Sequence, residues 1–383
     1  MDDLGLLRLA EAQTSDLTKN KNAILVGRNA TFDKVSVATW FLPVVDHALK
    51  GGVRTVFTFA EGMSLQFNTL NVFVIFSYTG KDIDVSSLER SLADFFPNLN
   101  FIIIKFINGK SDVSNLPYSQ ISFCTLWTTA YLLLKYNQTL RKYYFMQDYE
   151  PLFYEAGSLY AAIEQTYRFG FGCIANTPGV GERYLKYSDD VTCFYPGVDL
   201  QVFNNKGPID KKARFQVVFY GRPGNPRNCF SLGVLTLKAL KRKMKHHVQI
   251  YSVGADWDTS EYGLDGVLDN LGLLGSLEEV AKLYRNSDLG LVFMVTPHPS
   301  YQPFEYMACG CAVATNINES NSWYLNDQNS LQLEPIPEIA AQKMCDLLVD
   351  EKRLNSLKQK GMDVVRQYTW DNAFNVFKSR VLK

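Results

Sequence analysis

The sequence predicts an α/β chain of two Rossmann-like domains facing across a cleft, and three observations carry that expectation. Short apolar, β-branched runs alternate along the chain with longer segments of helical period, the pattern of parallel βα units. The 383 residues exceed the roughly 250–300 that one hydrophobic core supports, so two domains are expected. A polar stretch, NNKGPIDKKAR at 204–214, splits the apolar runs into two blocks, as a linker does. The expected limits are 1–203 for the first domain, 204–360 for the second, and 361–383 for a closing helix that packs back on the first.

In the first block AILVG (23–27), VRTVFTFA (53–60), VFVIFSY (72–78), FIIIKF (101–106), YYFMQDY (143–149), CIANT (173–177) and VTCFYPG (191–197) read as strands. SVATWFLPVVDHALKGG (36–52) reads as a helix kinked at Pro43 and stopped by Gly51 and Gly52. The second block restarts with the strand FQVVFYG (215–221), followed by a helix over about 231–245 with Leu232, Leu235, Leu240 and Met244 near helical spacing. VQIYSVG, DLGLVFMV, CAVATN and LQLEP read as further strands, LEEVAKLYRNS as a helix, and residues 336–383 as helical to the end.

Composition narrows the function classes. With 46% hydrophobic and 20% charged residues, and Lys+Arg 39 against Asp+Glu 39, no global basic field exists for nucleic acid. The opening MDDLGLLRLAEAQ is acidic where a signal peptide is basic, and no run of about 18 apolar residues suggests a membrane span, so a cytoplasmic protein is expected. Seven cysteines without a C-x-x-C pair, and four histidines without metal spacing, point to neither a disulfide framework nor a metal site. No cofactor is expected. The run KRKMKHH (241–247) is a solvated last helical turn, or a patch for an acidic partner or for peripheral association with a membrane.

In open α/β sheets ligands bind beyond the carboxyl ends of the strands, so the residues after each strand are the candidates. After FQVVFY comes GRPGNPRN, with Gly221, Arg222 and Arg227 ahead of a helix. Two guanidiniums there suit a diphosphate, and the alternative is a Pro/Gly turn with solvated arginines. After DLGLVFMV comes TPHPSYQPFE, where Pro297, Pro299 and Pro303 stiffen the loop and Ser300, Tyr301 and first-turn N–H groups can face an anion. Glu305 suits the helix dipole without any ligand, or accepts hydrogen bonds from ribose hydroxyls.

In the first domain YYFMQDYEP ends a strand with Gln147, Asp148 and Glu150. Residues two apart share a strand face, so the two carboxylates could project together as an acid and base pair. Alternatively Asp148 caps the next helix and Glu150 is solvated. Gly51 and Gly52 let backbone approach a ligand or simply end a helix.

Taken together, FYPGVDLQVF, VVFYGRP, LGSLEEVAKLYRNSDLGLVF and PHPSYQPFEYMACGCAVATN resemble the carboxyl-terminal half of glycosyltransferase family 4 enzymes, which have the GT-B fold. FMQDYEPLFYEAGSLY, YRFGFGCIANTPG and PHPSYQPFE are similar to the WsaF-type rhamnosyltransferases. The resemblance implies a nucleotide diphosphate sugar donor, dTDP-L-rhamnose, a glycan or lipid-linked glycan acceptor, and retention of configuration. It implies Arg222 and Arg227 on the donor diphosphate, Glu305 on the ribose, and Gly275 and Leu277 at the edge of the base pocket. The wider family carries an earlier glutamate where Pro297 stands here, so sugar contacts would fall to His298, Ser300 or Asp148. Were the reaction inverting, Asp148 or Glu150 would be the base. Gly51, Gly52 and Gln147 fall on the acceptor side. Two other readings stay open: a GT-B nucleotide-sugar epimerase, and a non-catalytic glycan- or nucleotide-binding module of a polysaccharide assembly complex.

Overall fold

The structure is a computed structural model that describes residues 3–49, 51–210, 213–318 and 321–383. The chain forms two compact units. One runs to Tyr195 and regains Ala373–Lys383, and the other is Pro196–Asn372. The division therefore precedes the polar stretch, and the return falls inside the last helix, Trp370–Leu382, rather than at 361.

In the first unit the strands are β1 (Val37–Pro43), β2 (Leu70–Ser77), β3 (Phe101–Ile107), β4 (Ser119–Cys124), β5 (Thr139–Met146), β6 (Gly172–Asn176) and β7 (Val191–Phe194). They form one sheet in the order β3-β2-β1-β4-β5-β6-β7, and every pairing is parallel. The second unit holds β8 (Phe215–Tyr220), β9 (Val248–Val253), β10 (Asp269–Asn270), β11 (Leu289–Val292), β12 (Ala312–Asn316) and β13 (Leu331–Leu333). Their order is β10-β9-β8-β11-β12-β13, again parallel throughout. Both sheets thus reverse their winding once, between β1 and β4 and between β8 and β11, which is the doubly wound plan.

Alternation along β8 shows why helices cover both faces of the second sheet. Val217 and Phe219 join one apolar core with Leu289 and Leu291 of β11, while Val218 joins another with Val292 and Val313. The first unit is held by an aromatic cluster. Trp40 of β1 stacks on Phe123 of β4 at 3.9 Å and on Phe377 of the last helix at 6.2 Å. Residues 373–383 thereby complete the core of the unit in which the chain began.

Three expectations for the first unit are corrected. Residues 23–27 end the helix Thr14–Gly27 rather than forming a strand. The run at 36–52 holds the strand β1, not a kinked helix, and 53–60 opens the helix Val53–Phe67, not a strand. The cause is shared: a central parallel strand buried on both faces and a buried helix are each nearly continuous apolar runs, and period alone does not separate them. Length does. The helix carries its buried positions on through Met63 and Ser64 and closes at Asn68 in the left-handed region, φ 57°. β4 escaped the sequence reading because SQISFC mixes serines with its apolar residues.

Lys142 on β5 is 5% exposed without a carboxylate beside its amine. Its Nζ donates to the carbonyls of Leu133 (2.8 Å) and Leu134 (3.4 Å) and to the side-chain oxygens of Asn20 (2.8 Å) and Asn137 (2.9 Å). Burial is the main influence on its pKa, pulling it down to about 7. The four acceptors, two of them at the carboxyl end of the helix Trp127–Lys135, act the other way and favour the ammonium. Lys142→Met strands all four acceptors, so unfolding in urea should show a loss of about 3 kcal/mol; an unchanged midpoint would contradict this role.

Candidate functional site

The winding reversal in the second unit places two loops side by side, residues 221–229 after β8 and 293–301 after β11. These are the loops with the arginines and the prolines. Gly221 extends the ladder, its N–H donating to the carbonyl of Val253 at 2.9 Å, and its own carbonyl accepts Trp257 Nε1 at 3.1 Å. A Cβ at Gly221 would lie 2.3 Å from Ser252 Oγ, so the close approach admits no side chain. Arg222 is half-buried, with its guanidinium 5.8 Å from the Tyr220 ring centre and Nη1 donating to the Tyr220 hydroxyl at 3.3 Å. Arg227 follows in the short turn Pro226–Asn228, where Nε donates to Asn225 Oδ1 at 3.2 Å. Both cations stand at the carboxyl edge of β8.

The loop after β11 is fixed by more than its prolines. Met294 N–H donates to Asn316 Oδ1 (2.9 Å), and its carbonyl accepts Nδ2 of Asn316 (2.8 Å) and of Asn318 (2.7 Å). Asn318 Nδ2 also donates to the Thr296 carbonyl at 2.9 Å. The last residue of β12 and the segment after it therefore staple the segment after β11. Pro297 and Pro299 are buried. Ser300 is 1% exposed, its hydroxyl hydrogen-bonds Gln302 Oε1, and its carbonyl accepts the Tyr324 hydroxyl at 3.4 Å. Half-buried His298 and Tyr301 stand 5.9 Å apart between ring centres, and Tyr301 meets Trp370 edge-on at 6.1 Å. Pro303 and half-buried Glu305 lie in the first turn of the helix Gln302–Ala308. Asn316, Asn318, Tyr324 and Trp370 were not singled out from the sequence; the signal for the first two was an N-x-N at a strand's end.

Gly275 and Leu277 serve a helix start. Ser276 Oγ accepts the Glu279 N–H at 3.2 Å, and Glu279 Oε2 accepts the Gly275 N–H at 2.9 Å, a reciprocal cap on the helix Leu277–Arg285.

In the first unit Gly51, Gly52 and Gln147 come together at the carboxyl edge. Gln147 Nε2 donates to the Gly52 carbonyl at 2.8 Å, and a Cβ at Gly52 would press on that same amide at 2.8 Å. Gly51 has φ +49°, a left-handed value that favours glycine. These glycines precede the helix Val53–Phe67 instead of ending one, a correction to the stop expected there. The shared strand face expected for Asp148 and Glu150 is also corrected, because β5 ends at Met146. Buried Asp148 accepts its neighbour Tyr149 N–H at 2.8 Å. Glu150, 3% exposed rather than solvated, accepts the Trp127 N–H at 2.6 Å and so closes the amino end of the helix Trp127–Lys135. Its own N–H donates to the Tyr167 hydroxyl at 3.1 Å. Burial, and after it the charge on Glu150, pushes the Tyr144 and Tyr167 hydroxyls far above the usual phenol range.

Among the described residues, no helix is long and apolar enough to cross a membrane, and no group of three or more His, Cys, Asp or Glu side chains is placed to hold a metal ion.

Comparison with known proteins agrees with this layout. Residues 215–345 match the family model described as WsaF, C-terminal domain. The chain is 37% identical over 340 residues to the O-antigen biosynthesis protein RfbC of Myxococcus xanthus, a match that takes in 88% of this chain and 26% of that protein. It thus spans about a quarter of the length of the curated relative it matches. Among solved structures it resembles Anabaena HepE in complex with UDP (TM-score 0.69, 12% identity, 89% of this chain and 98% of that one). It also resembles the sucrose-phosphate synthase of Thermosynechococcus elongatus (TM-score 0.66, 15% identity, 89% and 98%). A glycosyltransferase from Rickettsia africae is similar as well (TM-score 0.66, 14% identity, 91% and 98%). The fold is GT-B.

Removing the carboxylate that closes the buried helix start should cost stability in a graded way. Glu150→Ala should lose about 2 kcal/mol in urea unfolding, and Glu150→Gln, which keeps an acceptor, clearly less. Equal losses for the two would argue against the cap.

Proposed function

Since residues 215–345 match the WsaF C-terminal domain on a GT-B scaffold, we propose that this chain is a glycosyltransferase of O-antigen or related polysaccharide assembly. It moves a deoxyhexose, L-rhamnose, from dTDP-L-rhamnose to a glycan or lipid-linked glycan. The observation that carries the reading is the meeting, at the winding reversal of the matched unit, of the Arg222 loop with the stapled proline loop. That RfbC is an O-antigen biosynthesis protein and HepE was solved with UDP supports the class of product and donor.

Breaking the anomeric C–O bond releases a nucleoside diphosphate whose negative charge grows in the transition state. Arg222 and Arg227 stabilise that charge on the β8 side. Tyr301 and the backbone of the proline loop face it from the β11 side, buried Ser300 supporting that loop through Gln302 and Tyr324, and Glu305 accepts the ribose hydroxyls. Gly275 and Leu277 border the base. In the retaining course the acceptor oxygen bonds to the anomeric carbon on the face the phosphate leaves, and its proton passes to the departing phosphate oxygen. The chain has Pro297 where the wider family has a glutamate, so the donor sugar is met by His298 and the Ser300 segment. Gly51, Gly52 and Gln147 serve the acceptor. Glu150 is committed to a helix end, and Asp148 is the carboxylate we assign to sugar contact.

Labelled dTDP-L-rhamnose, incubated with and without candidate glycan acceptors, tests the reading. Acceptor-dependent release of dTDP is expected; an isomerised donor would indicate an epimerase, and binding without turnover a binding module. Arg222→Ala should weaken dTDP binding by about 2 kcal/mol, roughly thirtyfold in Kd by calorimetry. An unchanged affinity would remove the diphosphate site.

A further inference from the structure

The opposite, amino-terminal edge of the first sheet contains a cavity that the proposed reaction does not use. It has a volume of about 270 Å³ and lies where β5 and β6 begin, away from the strand ends that carry Gln147 and Asp148. Arg28, Arg141, Lys142 and Arg380 line it against the one lining carboxylate, Asp190. Asp190 is already ion-paired with Arg380. Lys142 is committed to its four acceptors, so Arg28 and Arg141 are the lining cations that meet no further side-chain carboxylate among the residues around the cavity.

The arginines are held in place but only partly used. Arg141 donates through Nη2 to the Ala30 carbonyl and to a main-chain oxygen of Lys383, and through Nη1 to the Tyr143 hydroxyl. Arg380 lies over the Tyr143 ring at 5.2 Å. The buried Nε atoms of Arg141 and Arg380 meet no acceptor, which leaves each guanidinium fork short of a hydrogen bond. Arg28 is exposed at the rim, and its side chain joins no hydrogen bond or ion pair among the described residues. Beside it the end of the helix Thr14–Gly27 presents Leu25 and Val26, 55% and 79% exposed.

From this geometry we infer that the first unit has a second anion site, in which Arg28, Arg141 and Arg380 hold a phosphate-type group. Planar forks set around one cavity match phosphate oxygens. The volume suits a phosphate or diphosphate group better than a whole nucleotide sugar, since ordinary ligand pockets run from about 300 to 1,000 Å³. The exposed leucine and valine at the rim would meet the apolar part of a phospholipid if the phosphate were a headgroup. A free phosphate anion would use the cavity alone.

This second site stands apart from the donor site of the proposed function, and binding of inorganic pyrophosphate, measured by calorimetry in the Arg222→Ala background where the donor site is weakened, with and without Arg28→Glu, distinguishes the two. The Arg222→Ala chain should bind pyrophosphate, and adding Arg28→Glu should weaken that binding at least tenfold. Arg28→Glu alone should leave dTDP affinity unchanged, so loss of one site is distinguishable from loss of the other. No pyrophosphate binding by Arg222→Ala, or equal binding with and without Arg28→Glu, overturns the inference. Co-sedimentation with vesicles of phosphatidylcholine plus phosphatidic acid, against phosphatidylcholine alone, then separates the sources. Sedimentation lost in both Arg28→Glu and Val26→Ser assigns a lipid headgroup; pyrophosphate binding without sedimentation assigns a free anion.

Discussion

The arrangement of the candidate donor site depends on one constraint, the reversal of winding between β8 and β11. Parallel strands need crossover connections, and where consecutive crossovers turn to opposite sides of the sheet, two neighbouring strand ends are left uncovered by a shared helix. At that point backbone N–H groups lie open and loops from non-consecutive strands meet. Arg222 enters from β8 and the His298 to Tyr301 segment from β11 because those two strands are neighbours in space, though some seventy residues separate them in sequence. In the first unit the Gly51 and Gly52 turn after β1 meets Gln147 after β5 across the end of β4, through the Gln147 side chain.

A site at uncovered strand ends needs stiffness from elsewhere, since loop backbone lacks a ladder. Here it comes from covalent and amide restraints together. Pro297, Pro299 and Pro303 fix φ, and the Asn316 and Asn318 side chains take the hydrogen bonds that a continuing sheet would have made to Met294 and Thr296. Gly221 achieves a comparable end by having no side chain against Ser252. In each case a polar or minimal residue replaces regular pairing, which holds the loop geometry before any ligand arrives.

How much of this was legible in the sequence differs between the units for a physical reason. The second unit has short strands with clear Gly and Pro punctuation, so GRPGNPRN and TPHPSYQP marked both loops, and the strands β8, β9, β11, β12 and β13 fell where expected. The first unit has longer, continuously apolar elements. There β1 and the helix after it exchanged identities, and the glycines between them were read as the end of a helix instead of its beginning. The partners of Glu150 were beyond reach as well. Trp127 is distant in the chain, and only the adjacency of β4 to β5 brings its N–H to that carboxylate. Resemblance to the WsaF type found the matched unit, whereas side-chain staples such as Asn318 are visible only once strand order is known.

The most direct test of the central claim is a crystal structure of the chain with dTDP. The account predicts the diphosphate between the loop after β8 and the loop after β11, within hydrogen-bonding reach of the Arg222 guanidinium, with the ribose beside Glu305. A nucleotide bound elsewhere, or Arg222 still folded on Tyr220 and making no contact with phosphate, would contradict it.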